Sequence, residues 1–420
     1  VNYASAIIRW QARIHREWAG LALAALRSGN PAEAARITRK ALTLARGSAS
    51  PEATHSSSEK QILIIDRALP DPSLDSGSVR LVEIIRLLGE MGWSVTFIAD
   101  TIPPAQSGKI VVGGVEFCVD SIGNLPRWLA AHRESLGAVW LSRFQTVLKH
   151  APLIKALAPG VRILFDTVDL HFVRERRRLE IEGNPQANAT AARIRRMEVG
   201  AASLADTTIV VSEIEGAALA GFAHDVKIAI LGNIHVPLPR DRIPSSNHRS
   251  GLLFIGGTQH APNRDALAWL ACELFPAIRA RLPDIELHVV GAIEDRELAQ
   301  FSTHGIVFHG HVPNLEPYLS GCRVSVAPLR IGAGVKGKIN TAMSHGIPVV
   351  ATSIAIEGMH LTDGGDVLVG DDAESFAHAV ARVYDDAEMW EHFSRAGALN
   401  VAEHYSPDLA KTALSKLLSQ

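Results

Sequence analysis

The sequence predicts an α/β protein with two doubly wound, Rossmann-like parallel-sheet domains, on three observations. From Gln61 onward, short β-branched runs alternate with longer amphipathic segments, the pattern of a parallel sheet covered by helices on both faces. After the proline-rich, polar stretch "HVPLPRDRIPSSNHRSG" the alternation starts again. Residues 323–359, "RVSVAPLRIGAGVKGKINTAMSHGIPVVATSIAIEGM", then read as strand, glycine loop, helix and strand in immediate succession.

Composition fits that class. A chain of 420 residues exceeds one compact core, so two or three domains are expected. With 47% hydrophobic and 20% charged residues, each domain has the material for an ordinary core. A formal net charge of −2 argues against nucleic acid as the main partner. Cys118, Cys272 and Cys322 lie far apart without CxxC spacing and read as reduced core thiols of a cytosolic protein. No apolar run approaches the roughly 20 residues of a membrane span. Arginines run through "IIRWQARIHREWAG", so no secretory signal is expected. The start at Val1 points to a processed or excised piece of something longer.

In chain order, residues 1–47 predict a helical hairpin, with Pro31 opening its second helix after Gly29-Asn30. Trp18, Leu21, Ala22, Ala25, Ala34 and Ala41 stand near the positions a tetratricopeptide repeat fills. One repeat cannot bury its own face, so a repeat remnant packed on the rest of the chain or on a protein partner is expected, with a plain helical hairpin as the alternative. Residues 48–60 have the small, polar composition of a linker. Residues 61–240 form the first Rossmann-like domain, with strands at "ILIID", "SVTFIA", "AVWLS", "RILFD" and "TTIVVS". Residues 241–404 form the second, with strands at "LLFIGG", "IELHVVG", "GIVFHG", "RVSVAPL" and "PVVATS". A terminal helix over 405–420 is expected to pack back on the first domain.

The glycine loop reads as a phosphate cradle. Gly332, Gly334 and Gly337 let backbone N–H groups approach an anion, and Lys336 and Lys338 add positive charge where the next helix, opened by Lys338, points its dipole. An ordinary glycine turn with solvated lysines is the alternative. In the first domain, "DSGS" at 75–78 makes a polar turn with Ser78 as helix cap and Arg80 on the first turn. "ILFDTVDLHFVRERRR" ends a buried strand in Asp166, Asp169 and His171, where active sites of open α/β sheets collect. A metal there lacks a third ligand at recognisable spacing. "RERRR" and "RIRRM" read as solvated helix faces, or as a surface for an anionic acceptor such as a phospholipid-linked or phosphorylated sugar, the former placing the protein at the inner face of a membrane. The histidines of "HGH" at 309–311 are expected to share one strand face.

Together these segments resemble the group 1 glycosyltransferases, the family 4 of retaining enzymes with the GT-B fold, from about Gln61 to the C-terminus. "LLFIGGTQHAPNRDALAWL" is similar to the first strand and loop of that family's donor domain, "FHGHVPNLEPYLSGCRVSVAPL" to its base-binding segment, and "GAGVKGKINTAMSHGIPVVATSIAIEGM" to its phosphate loop. "VVSEIE" and "LGNIHVP" are shorter echoes. The resemblance implies transfer of a sugar from a nucleotide diphosphate sugar to a glycan, lipid-linked or protein acceptor, with retention and without metal or cofactor, in glycan or polysaccharide synthesis. It implies donor contacts at Gly77, Gly256, Gly257, Gly310, Val312, Gly332, Gly334 and Gly337, charge from Lys336 and Lys338, and a sugar-contacting His171 beside Asp169. Where many members carry two glutamates seven residues apart, this chain has Ala333 and Thr341. Glu357 is then the first substitute for the ribose-binding carboxylate.

Two other functions fit parts of the pattern. "GAGVKG" is G-x-G-x-x-G with Glu357 twenty residues beyond Gly337, as a nicotinamide dehydrogenase would have, but the loop follows a fourth strand and not a first. A nucleotide-sugar-binding module without turnover would explain the missing glutamates.

Overall fold

A computed structural model describes residues 3–27, 35, 60–102, 108–301 and 304–419. The hairpin's second helix, apart from Ala35, and the linker, apart from Lys60, lie outside the described residues, as do the side chains of Trp18, Leu21 and Ala25.

Two parallel sheets carry the chain. The first has the order β3-β4-β2-β1-β5-β6-β7-β8, from β1 (Lys60–Ala68), β2 (Trp93–Ile102), β3 (Gly108–Val112), β4 (Val115–Ser121), β5 (Leu136–Ser142), β6 (Arg162–Asp166), β7 (Thr207–Val210) and β8 (Ile228–Ile230). Among the described strands only β3 runs antiparallel to its neighbour. The second has the order β11-β10-β9-β12-β13-β14 and is parallel throughout, from β9 (Leu252–Ile255), β10 (Leu287–Val290), β11 (Ile306–Gly310), β12 (Val324–Ala327), β13 (Val349–Ala351) and β14 (Leu368–Val369). Each order reverses beside its first strand, at β1/β5 and β9/β12, and such reversals open crevices at the strands' carboxyl ends. The antiparallel β3, its partner β4, and the short β8 and β14 escape the sequence reading. Their runs are brief or edge-placed, so they lack the continuous apolar signal of buried strands.

Strand β1 shows why the central strands are legible. Ile62 and Ile64 enter one core with Leu81, Ile84 and Ile85 of the helix Ser76–Glu90, while Leu63 and Ile65 enter the opposite core with Val147 and Leu153 of the helix Phe144–Leu157. Burying each such side chain contributes roughly 1.5–3 kcal/mol. A strand covered on both faces must therefore be apolar throughout.

Two chain ends complete the first domain. The helix Tyr3–Arg27 packs on the Phe144–Leu157 helix with Trp10 and Ile14 buried in the shared core. Trp10 Nε1 donates to His150 Nδ1 at 2.9 Å, and His150 Nε2 meets Asp100 at 2.8 Å. The N-terminal helix thus belongs to the first domain's own core. The C-terminal helix Pro407–Ser419 returns to the same domain, with Leu414 and Leu417 buried beside Ile62 and Ile64.

Candidate functional site

The crevice between the sheets is built from turns that end strands. After β1, Asp75 caps the helix Ser76–Glu90 by accepting from Ser78 N at 2.8 Å. The cap is therefore Asp75 and not Ser78, since a carboxylate at this position accepts from the amide three residues on. Arg80 turns inward, donating to Asp166 at 2.7 Å and to Leu231 O and Gly232 O at 2.9 and 3.1 Å. It ties the end of β6 to the segment that follows β8 and is unavailable to a ligand, as is Asp166.

After β6 the chain makes a strained turn. Val168 has φ 64°, a left-handed conformation that a β-branched residue rarely adopts and that costs about 1–3 kcal/mol. It delivers Asp169 and His171 into the crevice. Asp169 pairs with Arg174. Burial raises its pKa, but Arg174, His171 and Arg143 outweigh that and hold the carboxyl below its usual range. His171 Nδ1 lies 3.2 Å from Asp169 O, 3.5 Å from Asp169 Oδ1 and 3.4 Å from Glu198 Oε1. Its ring stands edge-on to Phe144 at 5.3 Å.

Facing this turn, the glycine loop leaves β12. Gly334, at φ 70°, approaches so closely that an added Cβ would lie 3.3 Å from Asp169 Cβ and 3.2 Å from Val211. The helix Gly337–Ser344 opens at Gly337, one residue before the expected Lys338. A Cβ on Gly337 would meet Ser76 Cβ at 2.4 Å, so two helix N-termini, one per domain, come together here. Gly77 follows Ser76, and a Cβ added there would lie 3.1 Å from Asp75 Oδ1 and 3.5 Å from Val168.

Both lysines are held in place. Lys336 donates to Gly334 O; burial pulls its pKa down to about 8, against Glu215 and Glu357, which hold it up. Lys338 donates to Asn263 Oδ1 at 2.6 Å, over the Phe254 ring. Burial, helped by Lys336, brings it to about 7. Its ammonium lies beside Gly256, where an added Cβ would be 2.9 Å away, and Gly257 packs on Ala292 O. Thr341 occupies the second turn of the same helix, its carbonyl taken by His345 Nδ1 at 2.8 Å.

Gly310 and Val312 stand further along, at the end of edge strand β11, where Gly310 O accepts from Gly291 N at 2.8 Å. Because β11 ends at Gly310, His309 and His311 do not share a strand face. His309 instead meets His288, Nε2 to Nδ1 at 3.0 Å. Glu357 is bound to Arg177 by two hydrogen bonds of 2.7 and 2.8 Å, and Arg177 also donates to Gly332 O at 2.6 Å.

Several groups escape the sequence reading. Arg174 and Arg177 of "RERRR" share the face turned to the crevice, three residues apart, while Arg178 pairs with Glu175 and Glu182 along its own helix. The segment is thus only partly a solvated face. His260, after β9, lies in the field of Arg174, Lys338, Asp169 and Asp75; burial, then Arg174 and Lys338, lower its pKa. Glu215, within the quoted "VVSEIE", is driven up to about 7 by burial, with Asp169 adding to the rise. A cavity of about 260 Å³ opens beside it, lined by Phe172, Arg177, Ser212, Gly334 and Glu357 among others. Among the described residues no three His, Cys, Asp or Glu side chains are grouped to hold a metal, and no helix is long and apolar enough to cross a membrane.

Residues 249–386 match the model of the family described as glycosyl transferases group 1. An uncharacterized 44.6 kDa protein of the cps region of Klebsiella pneumoniae is 27% identical over 139 residues, 31% of this chain and 36% of that protein. The chain thus spans about a third of the length of this curated relative. Among solved structures, sucrose-phosphate synthase from Thermosynechococcus elongatus shares the fold at TM-score 0.63 and 16% identity, over 86% of this chain and 98% of that one. Anabaena HepE in complex with UDP and glucose does so at 0.62 and 13%, over 86% and 99%. The UDP-forming α,α-trehalose-phosphate synthase from Burkholderia xenovorans does so at 0.59 and 12%, over 86% and 100%. The two-domain fold is therefore the GT-B arrangement.

Proposed function

We propose that this chain transfers a sugar from a nucleotide diphosphate sugar to an acceptor hydroxyl with retention of configuration, in glycan or polysaccharide synthesis. The observation that carries this reading is the meeting of the Lys336–Lys338 loop with the Asp169–His171 turn across the crevice. Glycosyl transfer develops negative charge on the departing diphosphate. Fixed amides at the start of the Gly337 helix and the two neighbouring ammonium groups stabilise that charge without reorganising. Gly256 and Gly257 give the donor close backbone approach, while Gly310 and Val312 border the base and Thr341 the ribose.

Three acceptor oxygens surround Nδ1 of His171 and hold a proton there, which leaves Nε2 as the ring atom for the sugar. The acceptor enters from the cavity beside Glu215 and Arg177. With the leaving phosphate taking the acceptor's proton, no enzymic nucleophile is required.

The test is incubation with labelled UDP-, GDP- and dTDP-sugars, scoring release of nucleotide diphosphate and then the anomeric configuration of the product by NMR. Turnover with an inverted product would overturn retention. Tight binding of a nucleotide sugar with no turnover against a glycan acceptor panel would favour a binding module. His171→Ala should cut kcat strongly while leaving nucleotide diphosphate affinity nearly unchanged, because a contact made mainly in the transition state acts on rate.

A further inference from the structure

The helix His171–Ile181 begins without a cap of its own. Its N-cap residue is Leu170, fully buried in an apolar cluster with Phe172, Val210 and Leu219, and no side-chain hydrogen bond comes from that position. The first amides of a helix have no intrahelical acceptor, and leaving such a donor buried and unpaired costs about 1–3 kcal/mol. Here two acidic side chains from other helices satisfy them. Glu198, on the helix Ala187–Ala202, accepts from His171 N at 2.9 Å through Oε1 and from Phe172 N at 3.0 Å through Oε2. Glu215, on the helix Glu213–Ala220, accepts from Leu170 N at 2.9 Å through Oε1 and from Val211 N at 3.4 Å through Oε2. Three consecutive amides, 170 to 172, are thus held by two side chains with relative exposures of 1% and 5%.

We infer that Glu198 and Glu215 are positioning residues that together fix the backbone carrying His171, Glu198 also holding a proton on Nδ1 of its ring. This rests on the glycosyl-transfer reading only for its consequence on rate. Glu198 Oε1 serves twice, taking the His171 amide and lying 3.4 Å from Nδ1 of the same residue. A negative charge at a helix N-terminus also complements the helix dipole. Asp169 O and Oδ1 lie 3.2 and 3.5 Å from the same nitrogen, so three oxygen acceptors gather at Nδ1 and hold a proton there. Glu215 adds the link to the end of β7 at Val211, next to which Gly334 of the phosphate loop packs.

The test is Glu198→Gln in the full chain. A glutamine accepts through one oxygen only, and its NH₂ faces a donor. Hydrogen exchange of the 170–172 amides should accelerate at least tenfold, and the ¹⁵N signals of His171, identified by their loss in His171→Ala, should shift away from the Nδ1–H tautomer. Unchanged exchange together with an unchanged tautomer overturns the inference whether or not the protein turns over any sugar, so its failure is separable from failure of the functional reading. Where turnover is measured, kcat should fall about tenfold or more with nucleotide affinity kept, and the loss should largely vanish in a His171→Ala background. A loss of full size in that background means that Glu198 acts otherwise than through His171, and overturns the inference. Should Glu198→Gln fail to fold, Glu215→Gln gives the exchange readout at Leu170: faster exchange there supports the inference, and unchanged exchange overturns it.

Discussion

Arg177 of the first domain grips Glu357 of the second through both carboxylate oxygens, at 2.7 and 2.8 Å, while its guanidinium also holds Gly332 O of the glycine loop. A planar guanidinium meeting a carboxylate bidentately fixes orientation as well as distance. The pair closes one side of the crevice. It also gives the expected ribose-binding carboxylate a protein partner, and Arg177 draws the Glu357 pKa down.

If this pair holds the domains together, Arg177→Glu should set two negative charges against each other and separate them, raising the radius of gyration measured by small-angle scattering. Adding Glu357→Arg in the same chain should restore most of the compaction. Coupling between residues in one ion pair is about 0.5–3 kcal/mol. A swap that recovers nothing would show that other contacts hold the crevice closed.

The lysine pair predicts proton uptake. Lys338 titrates near 7 and Lys336 near 8, so at pH 8 the first is largely neutral and the second about half charged. A bound diphosphate favours the charged forms, and calorimetry of UDP or GDP in buffers of different ionisation enthalpy should register about one proton or more at pH 8 and far less at pH 6. Lys338→Ala should weaken binding roughly tenfold or more, since a charge-assisted hydrogen bond is worth about 1.5–3 kcal/mol. Buffer-independent heats at pH 8 would remove both lysines from the diphosphate site.

Glu215 predicts a pH window in stability. Unfolded, it loses its proton near 4.5; folded, it keeps it until about 7. The folded state binds more protons between these values, so the contribution is fully present below 4.5 and lost as pH rises through 7, on the order of 3 kcal/mol. Glu215→Gln cannot titrate and should flatten the fall. Urea midpoints of both proteins at pH 5 and 7.5 provide the check, and parallel shifts in the two would contradict it.

Gly337→Ala should drive the two helix N-termini apart, because its Cβ would sit 2.4 Å from Ser76 Cβ. Ser76→Gly removes that atom and should rescue the variant. The readout is nucleotide diphosphate affinity together with compaction by scattering. A Gly337→Ala protein as compact as the parent would mean that the interface yields elsewhere.

Much of the site was legible wherever one local rule sufficed. Gly334 and Gly337 announce themselves because the backbone approaches they allow exclude a Cβ, and Lys336 and Lys338 because they flank those glycines. Asp75 and Ser78 show the limit of local reading. Either residue suits a cap, and the helix start, shifted by a few residues, decides between them.

By itself, the sequence determined the two parallel sheets and the loop that joins β12 to the Gly337 helix, since strands such as "ILII" and "LLFI" are buried on both faces and must be apolar along their length. Only the tertiary structure decided which charges act. Arg177 and Arg178 are neighbours in one run, yet Arg177 crosses to Glu357, 180 residues away, and Arg178 stays with Glu175 and Glu182 on its own helix. Glu198 and Glu215 come from different helices to hold the amides of Leu170, His171 and Phe172. The strength of an ion pair or hydrogen bond depends on distance and burial in space, and for residues far apart in the chain these are set by how the helices pack against one another.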